Sequence, residues 1–373
     1  MILSSCELDR IIWCIQSARS YRREAISKGK YSQEKYFVMK NVNAPLNVAV
    51  VGLGWWGKAI IGMLKDSSKV HVVKAVDTVP AAGEWARSQG IEFMTDYAGA
   101  LADPNVDGVI LCTPHTLHLA QVVAAAAAKK HVFCEKPLAL TRRDALAEVE
   151  ACKANGVVLA VGHEHRFKPV IQDVLRMVKS GELGEIQTTE ATLTFELRPL
   201  TADNWRLQKA ESPAGTTMVA LGIHGLDLCI AVNGPAESVL ASLRSVASPT
   251  RNTLAILLNF KNGSNGVISS VLGPPFSIRF AVLGSKGWAE IRDKAHPQAP
   301  EGWLLTRGVH GGPQQTVEYP AMSMVRANVE AFADAAAGRA PYPVTVAEMV
   351  ANIAAFEAIA KSAESGAIVM VEN

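Results

Sequence analysis

The sequence predicts a two-domain α/β protein, in which a parallel sheet with alternating helices is followed by an α+β domain with a mostly antiparallel open sheet. Its 373 residues are enough for two domains. From Leu46 to Gly162, short apolar runs alternate with helical segments, as is typical of βαβ units. After Gly162, longer strand-like runs follow one another without intervening helices, which favours antiparallel pairing.

The composition supports folded domains and excludes several classes of function. Hydrophobic residues make up 49% of the chain and charged residues 19%, which is enough to build sizeable cores. The formal net charge of +2 gives no electrostatic footprint for nucleic acid, and no apolar run approaches the roughly 18 residues of a membrane span. The six cysteines form no C-x-x-C pair. We therefore expect reduced thiols and a cytoplasmic protein with no nucleic-acid or membrane partner.

Three segments are predicted along the chain. Acidic residues among the first forty positions argue against a targeting peptide, and Met39 stands shortly before the first clear strand. We expect residues 1–43 to be an extension outside the fold, with residues 1–38 translated from an upstream start. The nucleotide-binding domain is predicted over residues 44–165 and the second domain over residues 166–373.

The elements of the first domain follow from buried runs and stop signals. The β-branched apolar run LNVAVVG predicts the first strand, and VHVVKAVD, GVILCT, HVFCEKP and VVLAVG predict later strands, because parallel strands are buried on both faces. Helices are predicted between them, at residues 57–65, 81–88 and 116–130. Thr141 and Asp144 form a capping box for the next helix, which Gly156 ends.

The second domain begins with one predicted helix, at residues 169–180, which Gly181 ends. Five strands are then predicted in the runs QTTEATLTFEL, ESVLASLRSV, TLAILLNFKN, NGVISSVLG and FSIRFAVLG. Asn262-Gly263 and Asn265-Gly266 are expected to form turns between them. Two helices, near residues 325–337 and 346–365, are predicted to close the chain.

A glycine-rich turn between the first strand and first helix indicates a dinucleotide site. Gly52, Gly54 and Gly57 give G-x-G-x-x-G. In this pattern the first glycine permits a tight turn, the second lets the backbone approach a pyrophosphate, and the third permits close helix–strand packing. The free N–H groups at the helix N-terminus favour the phosphates. The sequence thus predicts a Rossmann dinucleotide-binding domain.

Asp77 selects the dinucleotide. It ends the second strand at the distance from the glycine turn where an acidic residue binds the ribose 2′-hydroxyl. A carboxylate there would repel a 2′-phosphate, so we expect NAD rather than NADP. Trp55 and Trp56 lie within the turn. Their backbone amides can face the phosphates, while each indole either covers the cofactor or packs on neighbouring residues.

Three further motifs carry a family resemblance. They are CTPHTLH at residues 112–118, CEKPLA at 134–139 and ALGIHGLDL at 220–228. Together with the glycine turn, they resemble the glucose–fructose oxidoreductase / inositol dehydrogenase / MocA (Gfo/Idh/MocA) family, from about Leu46 to the C-terminus. This resemblance implies a Rossmann domain, an open-sheet domain, and oxidation or reduction of a hydroxyl or carbonyl on a sugar, cyclitol or similar polyol.

The resemblance also implies residue roles. Thr113, Pro114 and His118 would line the cofactor, and Glu135 would lie near the nicotinamide ribose. Lys136 would be catalytic and contact the cofactor. His224 matches the histidine of the family's D-x-G-x-H motif, where it would be catalytic and bind substrate.

The resemblance has a gap at Ala220, which stands where that motif has its acidic residue. Glu164 and Asp227 are both candidates for the missing carboxylate. The segment GHEHRF at residues 162–167 also departs from the more common basic and aromatic version.

The chemistry of hydride transfer explains the two catalytic candidates. A hydroxyl must lose its proton while negative charge grows on its oxygen. A lysine ammonium stabilises that oxygen and a neutral histidine accepts the proton, so Lys136 and His224 form a suitable pair if the two domains face each other.

Three other side chains are substrate candidates with ordinary alternatives. Arg166 either contacts substrate or forms a salt bridge that links the domains. Trp205 would stack on a ring and Arg206 would bind a carboxylate, unless both are loop anchors. The histidines lack the ligand spacing of a zinc site, so no metal is expected.

The leading hypothesis is an NAD-dependent dehydrogenase acting on a polyol or sugar-like small molecule, and forming a homo-oligomer, either a dimer or a tetramer. One alternative is an NAD-dependent glycoside hydrolase that uses transient oxidation. The other is a non-catalytic NAD-binding sensor, which the absence of the acid at position 220 makes conceivable.

Overall fold

The computed structural model describes residues 44–196, 204–246, 252–296 and 299–372. The predicted N-terminal extension, residues 1–43, lies outside these ranges. Within them, the four cysteines are free, and no helix is both long and apolar enough to cross a membrane.

The first half of the chain forms a six-stranded parallel sheet in the order β3-β2-β1-β4-β5-β6. Its strands are β1 (Leu46–Val51), β2 (Val70–Val76), β3 (Glu92–Met94), β4 (Gly108–Leu111), β5 (His131–Cys134) and β6 (Leu159–Val161). The helices between them are α1 (Trp55–Leu64), α2 (Ala82–Ser88), α3 (Tyr97–Ala102), α4 (His118–Ala127) and α5 (Arg142–Asn155). Because β1 lies between β2 and β4, the turns after these strands meet at one edge of the sheet.

The second half forms a nine-stranded sheet in the order β14-β13-β12-β11-β7-β10-β9-β8-β15. β7 and β10 pair in parallel and the other neighbours are antiparallel, which confirms the predicted mostly antiparallel sheet. Its strands are β7 (Ile186–Phe195), β8 (Ala236–Arg244), β9 (Thr253–Phe260), β10 (Asn265–Leu272), β11 (Ser277–Gly284), β12 (Gly287–Asp293), β13 (Trp303–Val309), β14 (Gln315–Tyr319) and β15 (Val369–Met370).

Four helices accompany this second half: α6 (Pro169–Lys179), α7 (Ile223–Asn233), α8 (Met324–Ala336) and α9 (Val346–Ser365). A π-helical turn, Met218–Gly222, leads directly into α7. Asn265 and Gly266 begin β10 and do not form the turn that the sequence predicted. Asn262-Gly263 provides that turn, because Gly263 takes the left-handed conformation with φ of +88°.

The hydrophobic cores do not simply follow chain order. Val329 and Phe332 of α8 pack in the core of the first sheet, with strand residues such as Val50 and Ile110. The inner face of the second sheet forms its own core with α6, α7 and α9. The division near residue 166 remains a prediction, and α8 joins the two halves by returning to the first sheet.

Candidate active site

The turn after β1 has the shape that a diphosphate requires. Gly52 adopts φ of +92°, and a Cβ on Gly57 would lie 2.0 Å from the Gly52 carbonyl oxygen, so packing demands glycine at both positions. A Cβ on Gly54 would meet no atom within 4 Å among the described residues. No described side chain caps α1, so its first N–H groups are open to a ligand. This cradle fits a phosphate-bearing cofactor.

Asp77 lies against the glycine turn, as predicted for a ribose-binding acid. Its Oδ2 accepts a hydrogen bond from the Leu53 backbone N–H at 2.7 Å, and its Oδ1 accepts one from Val79 at 2.9 Å. A carboxylate offers about four acceptor sites, so two remain for ribose hydroxyls. The backbone therefore orients the carboxylate and leaves it able to bind the cofactor.

The two tryptophans of the turn differ in exposure. Trp55 is 62% exposed and Trp56 is half-buried against the core of the first sheet, with their ring centroids 5.3 Å apart. Trp55 can thus cover a bound cofactor, whereas Trp56 packs. Thr113 and Pro114 are half-buried at the adjacent end of β4, where the Thr113 hydroxyl donates to Gln121 Oε1 at 2.5 Å.

The predicted contact between His118 and the cofactor is corrected by the structure. The side chain is completely buried. Its Nδ1 lies 3.0 Å from the Pro137 carbonyl oxygen, and its Nε2 lies 3.2 Å from that of Thr113. A ring with no accessible surface cannot line a ligand, so His118 instead ties the turns after β4 and β5 together.

Glu135 is buried directly after β5. Its Oε2 accepts a hydrogen bond from the Lys136 backbone N–H at 3.2 Å. A Cβ on Gly162 would lie 2.7 Å from the same oxygen, so the glycine at the end of β6 makes room for the carboxyl group. Burial raises the pKa of Glu135, which the Lys136 charge partly offsets.

Lys136 spans the junction between the two halves of the molecule. Its Nζ donates to the carbonyl oxygens of Val219 and Ala220 at 3.0 and 3.1 Å, both within the π-helical turn before α7. An ammonium has three N–H donors, so one remains without a partner among the described residues. Burial lowers the pKa of Lys136, against the opposing charges of Glu164 and Glu135.

His224 lies at the start of α7, and Glu164 is the carboxyl group beside it. Glu164 Oε1 is 3.7 Å from His224 Nε2, whereas Oε2 and His224 Nδ1 are buried with no hydrogen-bond partner in the described structure. Burial, followed by the nearby Lys136 charge, lowers the pKa of His224 well below its usual value. Burial and the Glu135 charge raise the pKa of Glu164 to about 8. Of the two candidate carboxylates, Glu164 therefore accompanies His224.

His165 completes the cluster on the other side of His224. The two imidazole rings stack with centroids 4.4 Å apart and planes 12° apart. Lys168 donates to His165 Nδ1 at 3.2 Å and to Asp293 Oδ2 at 2.6 Å. Since an ammonium can only donate, a neutral His165 carries its proton on Nε2.

Glu164, His165 and His224 have the composition of a metal site but not its arrangement. Potential ligand atoms of the three lie within 4.8 Å of one another. Parallel stacked rings do not direct their lone pairs toward one tetrahedral centre. A metal-bound histidine also usually donates its other N–H to an acceptor, whereas His165 accepts from Lys168. The expectation of no metal stays a prediction that this geometry favours.

Arg166 forms buried ion pairs, which was one of its two predicted roles, and is not available to contact substrate. Its Nε and Nη2 donate to the two carboxylate oxygens of Asp227 at 2.7 and 3.0 Å, and its Nη1 donates to Glu348 at 2.9 Å. The side chain is buried, so all three nitrogens are already engaged. The prediction that Arg166 binds substrate is therefore wrong. Arg166 instead links α7 to α9, and Asp227 is engaged in this ion pair.

Trp205 and Arg206 lie together beside the first domain. The Arg206 guanidinium stacks over the Trp205 indole, 4.2 Å from its centroid. The Trp205 ring meets His115 edge to face at 4.9 Å. His115 follows β4, and its Nδ1 lies 2.8 Å from the Glu211 carbonyl oxygen. Both predicted substrate residues thus face the part of the first domain that carries Thr113 and Pro114.

Sequence reasoning missed several members of this cluster. His165 was considered only as a metal ligand, in the segment that supplied the candidates Glu164 and Arg166, and neither Lys168 nor Asp293 was singled out. Lys168 and Asp293 are 125 positions apart, so no local signal links them. An acid and two histidines within GHEHRF were the one available hint.

Comparison with known proteins agrees with the fold and the glycine turn. A family model described as "Oxidoreductase family, NAD-binding Rossmann fold" matches residues 46–163, and the C-terminal domain model of the same family matches residues 171–290. Together the two matches span well over half of the chain.

Relatives with named activities cover most of the chain. A myo-inositol 2-dehydrogenase of Thermotoga maritima is 29% identical over 65% of this chain and 74% of its own. A 1,5-anhydro-D-fructose reductase of Ensifer adhaerens is 27% identical over 84% of this chain and 95% of its own.

Solved structures share the fold. The aldose–aldose oxidoreductase of Caulobacter crescentus, crystallised with glycerol, superposes with a TM-score of 0.77 at 24% identity, covering 88% of this chain and all of that one. The predicted family, NAD cofactor and fold class are therefore confirmed. This chain belongs to the Gfo/Idh/MocA family of oxidoreductases and has its NAD-binding Rossmann domain.

Proposed function

We propose that the protein is an NAD-dependent dehydrogenase that transfers a hydride between the nicotinamide and a hydroxyl or carbonyl of a sugar-, cyclitol- or polyol-like substrate. One observation carries the proposal. The Lys136 ammonium of the first domain reaches two carbonyls that lie only a few residues before His224 in the second. The stabilising cation and the proton acceptor that the reaction requires are therefore held at one junction.

Lys136 and His224 have complementary proton chemistry. The remaining N–H of Lys136 donates to the substrate hydroxyl oxygen and lowers its pKa, because the ammonium stabilises the developing negative charge. His224 is neutral at neutral pH, since burial lowers its pKa, and it accepts the hydroxyl proton. When bound, NAD supplies the ring that accepts the hydride.

Glu164 supplies the carboxyl group that the family motif has at the position occupied here by Ala220. Its carboxyl is 3.7 Å from His224 Nε2, close enough for its charge to stabilise a protonated imidazole. Because burial raises the pKa of Glu164, the carboxyl ionises as the pH rises above neutrality. Oxidation of a hydroxyl is thus favoured at alkaline pH.

The cofactor site supports NAD over NADP. Gly52, Gly54 and Gly57 would hold the diphosphate, and Asp77 would bind the ribose hydroxyls while repelling a 2′-phosphate. Thr113, Pro114, Glu135 and Trp55 would line the remainder. The inositol dehydrogenase and anhydrofructose reductase relatives support a polyhydroxylated substrate.

Neither alternative function is favoured by a feature of the described site. A non-catalytic sensor gives no reason for an ammonium with one free donor beside a neutral histidine. A glycoside hydrolase of this type would need the same oxidation step first. Lys136 and His224 therefore support the oxidation step, but they do not distinguish a hydrolase from a dehydrogenase.

Homo-oligomerisation through the outer face of the second sheet is part of the proposal. Leu240, Leu257 and Val267 are each at least 38% exposed, and they lie side by side on β8, β9 and β10. A second copy would cover this apolar row, giving a dimer or tetramer that light scattering would detect. The free described cysteines support a reducing, cytoplasmic location.

The direct test is NADH formation by the purified protein with NAD and a panel of sugars, cyclitols, sugar acids and hydroxylated ring acids. We expect at least one polyol to be oxidised, with NAD preferred over NADP. Cleavage of an aryl glycoside without net NADH would favour the hydrolase. Tight NADH binding with no turnover in either direction would favour the sensor and overturn the proposal.

A further inference from the structure

Arg206 carries a guanidinium that has no hydrogen-bond acceptor among the described residues. Its side chain is half-buried and stacks on Trp205. No carboxylate or carbonyl of the described residues hydrogen-bonds to its guanidinium, although burial lowers its pKa. A planar guanidinium offers five N–H donors in a fixed fork. None of these nitrogens is buried without a partner, so the fork is accessible to a ligand that accepts from it.

Two buried cations among the described residues are paired. Arg166 gives all three guanidinium nitrogens to Asp227 and Glu348, and Lys168 donates to Asp293 at 2.6 Å. Arg206 has no such partner among the described residues, so its guanidinium remains available to a ligand.

The backbone places Arg206 beside the proposed reaction centre. Its carbonyl oxygen accepts hydrogen bonds from Ser212 Oγ at 2.8 Å and from Thr216 Oγ1 at 3.3 Å. Thr216 lies just before the π-helical turn whose carbonyls hold Lys136. The Arg206 charge disfavours the ammonium form of Lys136 and favours the carboxylate form of Glu135, so the guanidinium is within electrostatic range of both.

An anionic ligand suits the Arg206 guanidinium better than a neutral one. The guanidinium stacks on Trp205 and no described carboxylate hydrogen-bonds to it. A bound nicotinamide ring in its oxidised form adds a further positive charge nearby. An anionic substrate interacts favourably with both charges, whereas a neutral polyol does not.

We infer that the substrate carries a carboxylate, which Arg206 binds through its guanidinium fork while a hydroxyl of the same molecule reaches Lys136. This inference rests on the proposed dehydrogenase function and narrows its substrate to a carboxylated polyol, such as a sugar acid or a hydroxylated ring acid. Trp205 holds the guanidinium plane from behind. The two oxygens of a carboxylate can accept two parallel N–H···O hydrogen bonds from one edge of the guanidinium.

Matched acid and neutral substrates test the inference on the full-length holoenzyme. The pairs are D-glucuronate with D-glucose and quinate with myo-inositol. Glucose 6-phosphate is included to test whether the site prefers a phosphate to a carboxylate. We expect kcat/KM at least about 10-fold higher for the preferred acid than for its neutral partner, as for one charged hydrogen-bonding pair. Equal or better use of the neutral partners, or a preference for the phosphate, overturns the inference and leaves the dehydrogenase intact.

Variants of Arg206 locate the effect. Arg206→Gln should raise KM for the acid by roughly 10- to 100-fold and should change KM for neutral substrates much less, while Arg206→Lys keeps the charge without the fork and should recover part of the loss. Lys209→Gln is the matched control, because Lys209 is exposed and pairs with Glu364.

Calorimetry provides a readout independent of turnover. Titration of D-glucuronate and quinate into the NADH complex should give binding that Arg206→Gln weakens, while the Kd for NADH stays the same. An equal loss of NADH affinity would make Arg206 a cofactor contact and overturn the inference. If no panel compound is oxidised but acids still bind through Arg206, the proposed reaction fails and the carboxylate subsite stands.

Discussion

Replacement of Lys136 by methionine isolates the chemistry of its ammonium. Methionine keeps a long apolar stem and removes all three N–H donors. In the wild-type protein, two of those donors hold the Val219 and Ala220 carbonyls at 3.0 and 3.1 Å, and the third is free for substrate. The variant therefore loses one interaction with the reacting oxygen and two with the π-helical turn.

The two kinds of loss have different magnitudes and different readouts. A donor aimed at a developing oxyanion in a dry site is worth about 2.7–4 kcal/mol, or roughly 100- to 1,000-fold in kcat. Leaving the carbonyls without their donor costs about 1–3 kcal/mol of folding stability. KM should change much less than kcat, because the lost interaction strengthens in the transition state.

Initial rates of NADH formation, NADH titrations and denaturant unfolding separate these effects. Lys136→Met should lose at least about 100-fold in kcat while remaining folded, with NADH affinity nearly unchanged. Lys153→Met is the control, because Lys153 is exposed on α5. A kcat close to the wild-type value, or a loss fully explained by weaker NADH binding, would refute the proposed role.

Three further outcomes are expected. Asp77→Ala should weaken NAD binding and relax discrimination against NADP; unchanged titration curves for both nucleotides would rule out the ribose contact. Glu164→Gln should remove the rise of kcat/KM for oxidation with increasing pH, because it replaces the carboxyl whose pKa burial raises to about 8; superimposable pH profiles would show that another group controls the rate. Glu148→Gln should make stability less dependent on pH. Glu148 is fully buried on α5, neither of its carboxyl oxygens has a described partner, and burial raises its pKa well above the usual value. The folded state thus favours the neutral acid, so the contribution of Glu148 to stability is fully present below the unfolded pKa of about 4.3 and falls by up to about 1.4 kcal/mol per pH unit above it, until the folded pKa is reached. Urea unfolding at acidic and alkaline pH measures this slope, and equal slopes in both proteins would contradict it.

The sequence predicted those features that depend on residues close together in the chain. The glycine turn is recognisable because Gly52 and Gly57 have no room for a Cβ, and such constraints leave a fixed spacing. Asp77 follows from its place at the end of a neighbouring strand. The strand and helix alternation follows from burial on both faces of the first sheet.

Contacts between residues far apart in the chain could not be predicted from the sequence. Glu164 and His224 are 60 residues apart, and nothing in either segment states that one supplies the carboxyl for the other. Arg166 was ambiguous because its two partner residues, Asp227 and Glu348, lie on different helices. Periodicity identified α8 as a helix, but it does not say which sheet the helix covers.

A crystal structure of the NADH complex is the measurement that most directly tests the central claim, which is that one cofactor position serves both the glycine turn and the catalytic lysine. The predicted result is a diphosphate against the backbone at Gly54, Asp77 on the ribose hydroxyls, and the nicotinamide ring in contact with Lys136 on the side facing His224. A cofactor bound elsewhere, or a nicotinamide out of reach of Lys136, would contradict the proposed enzyme.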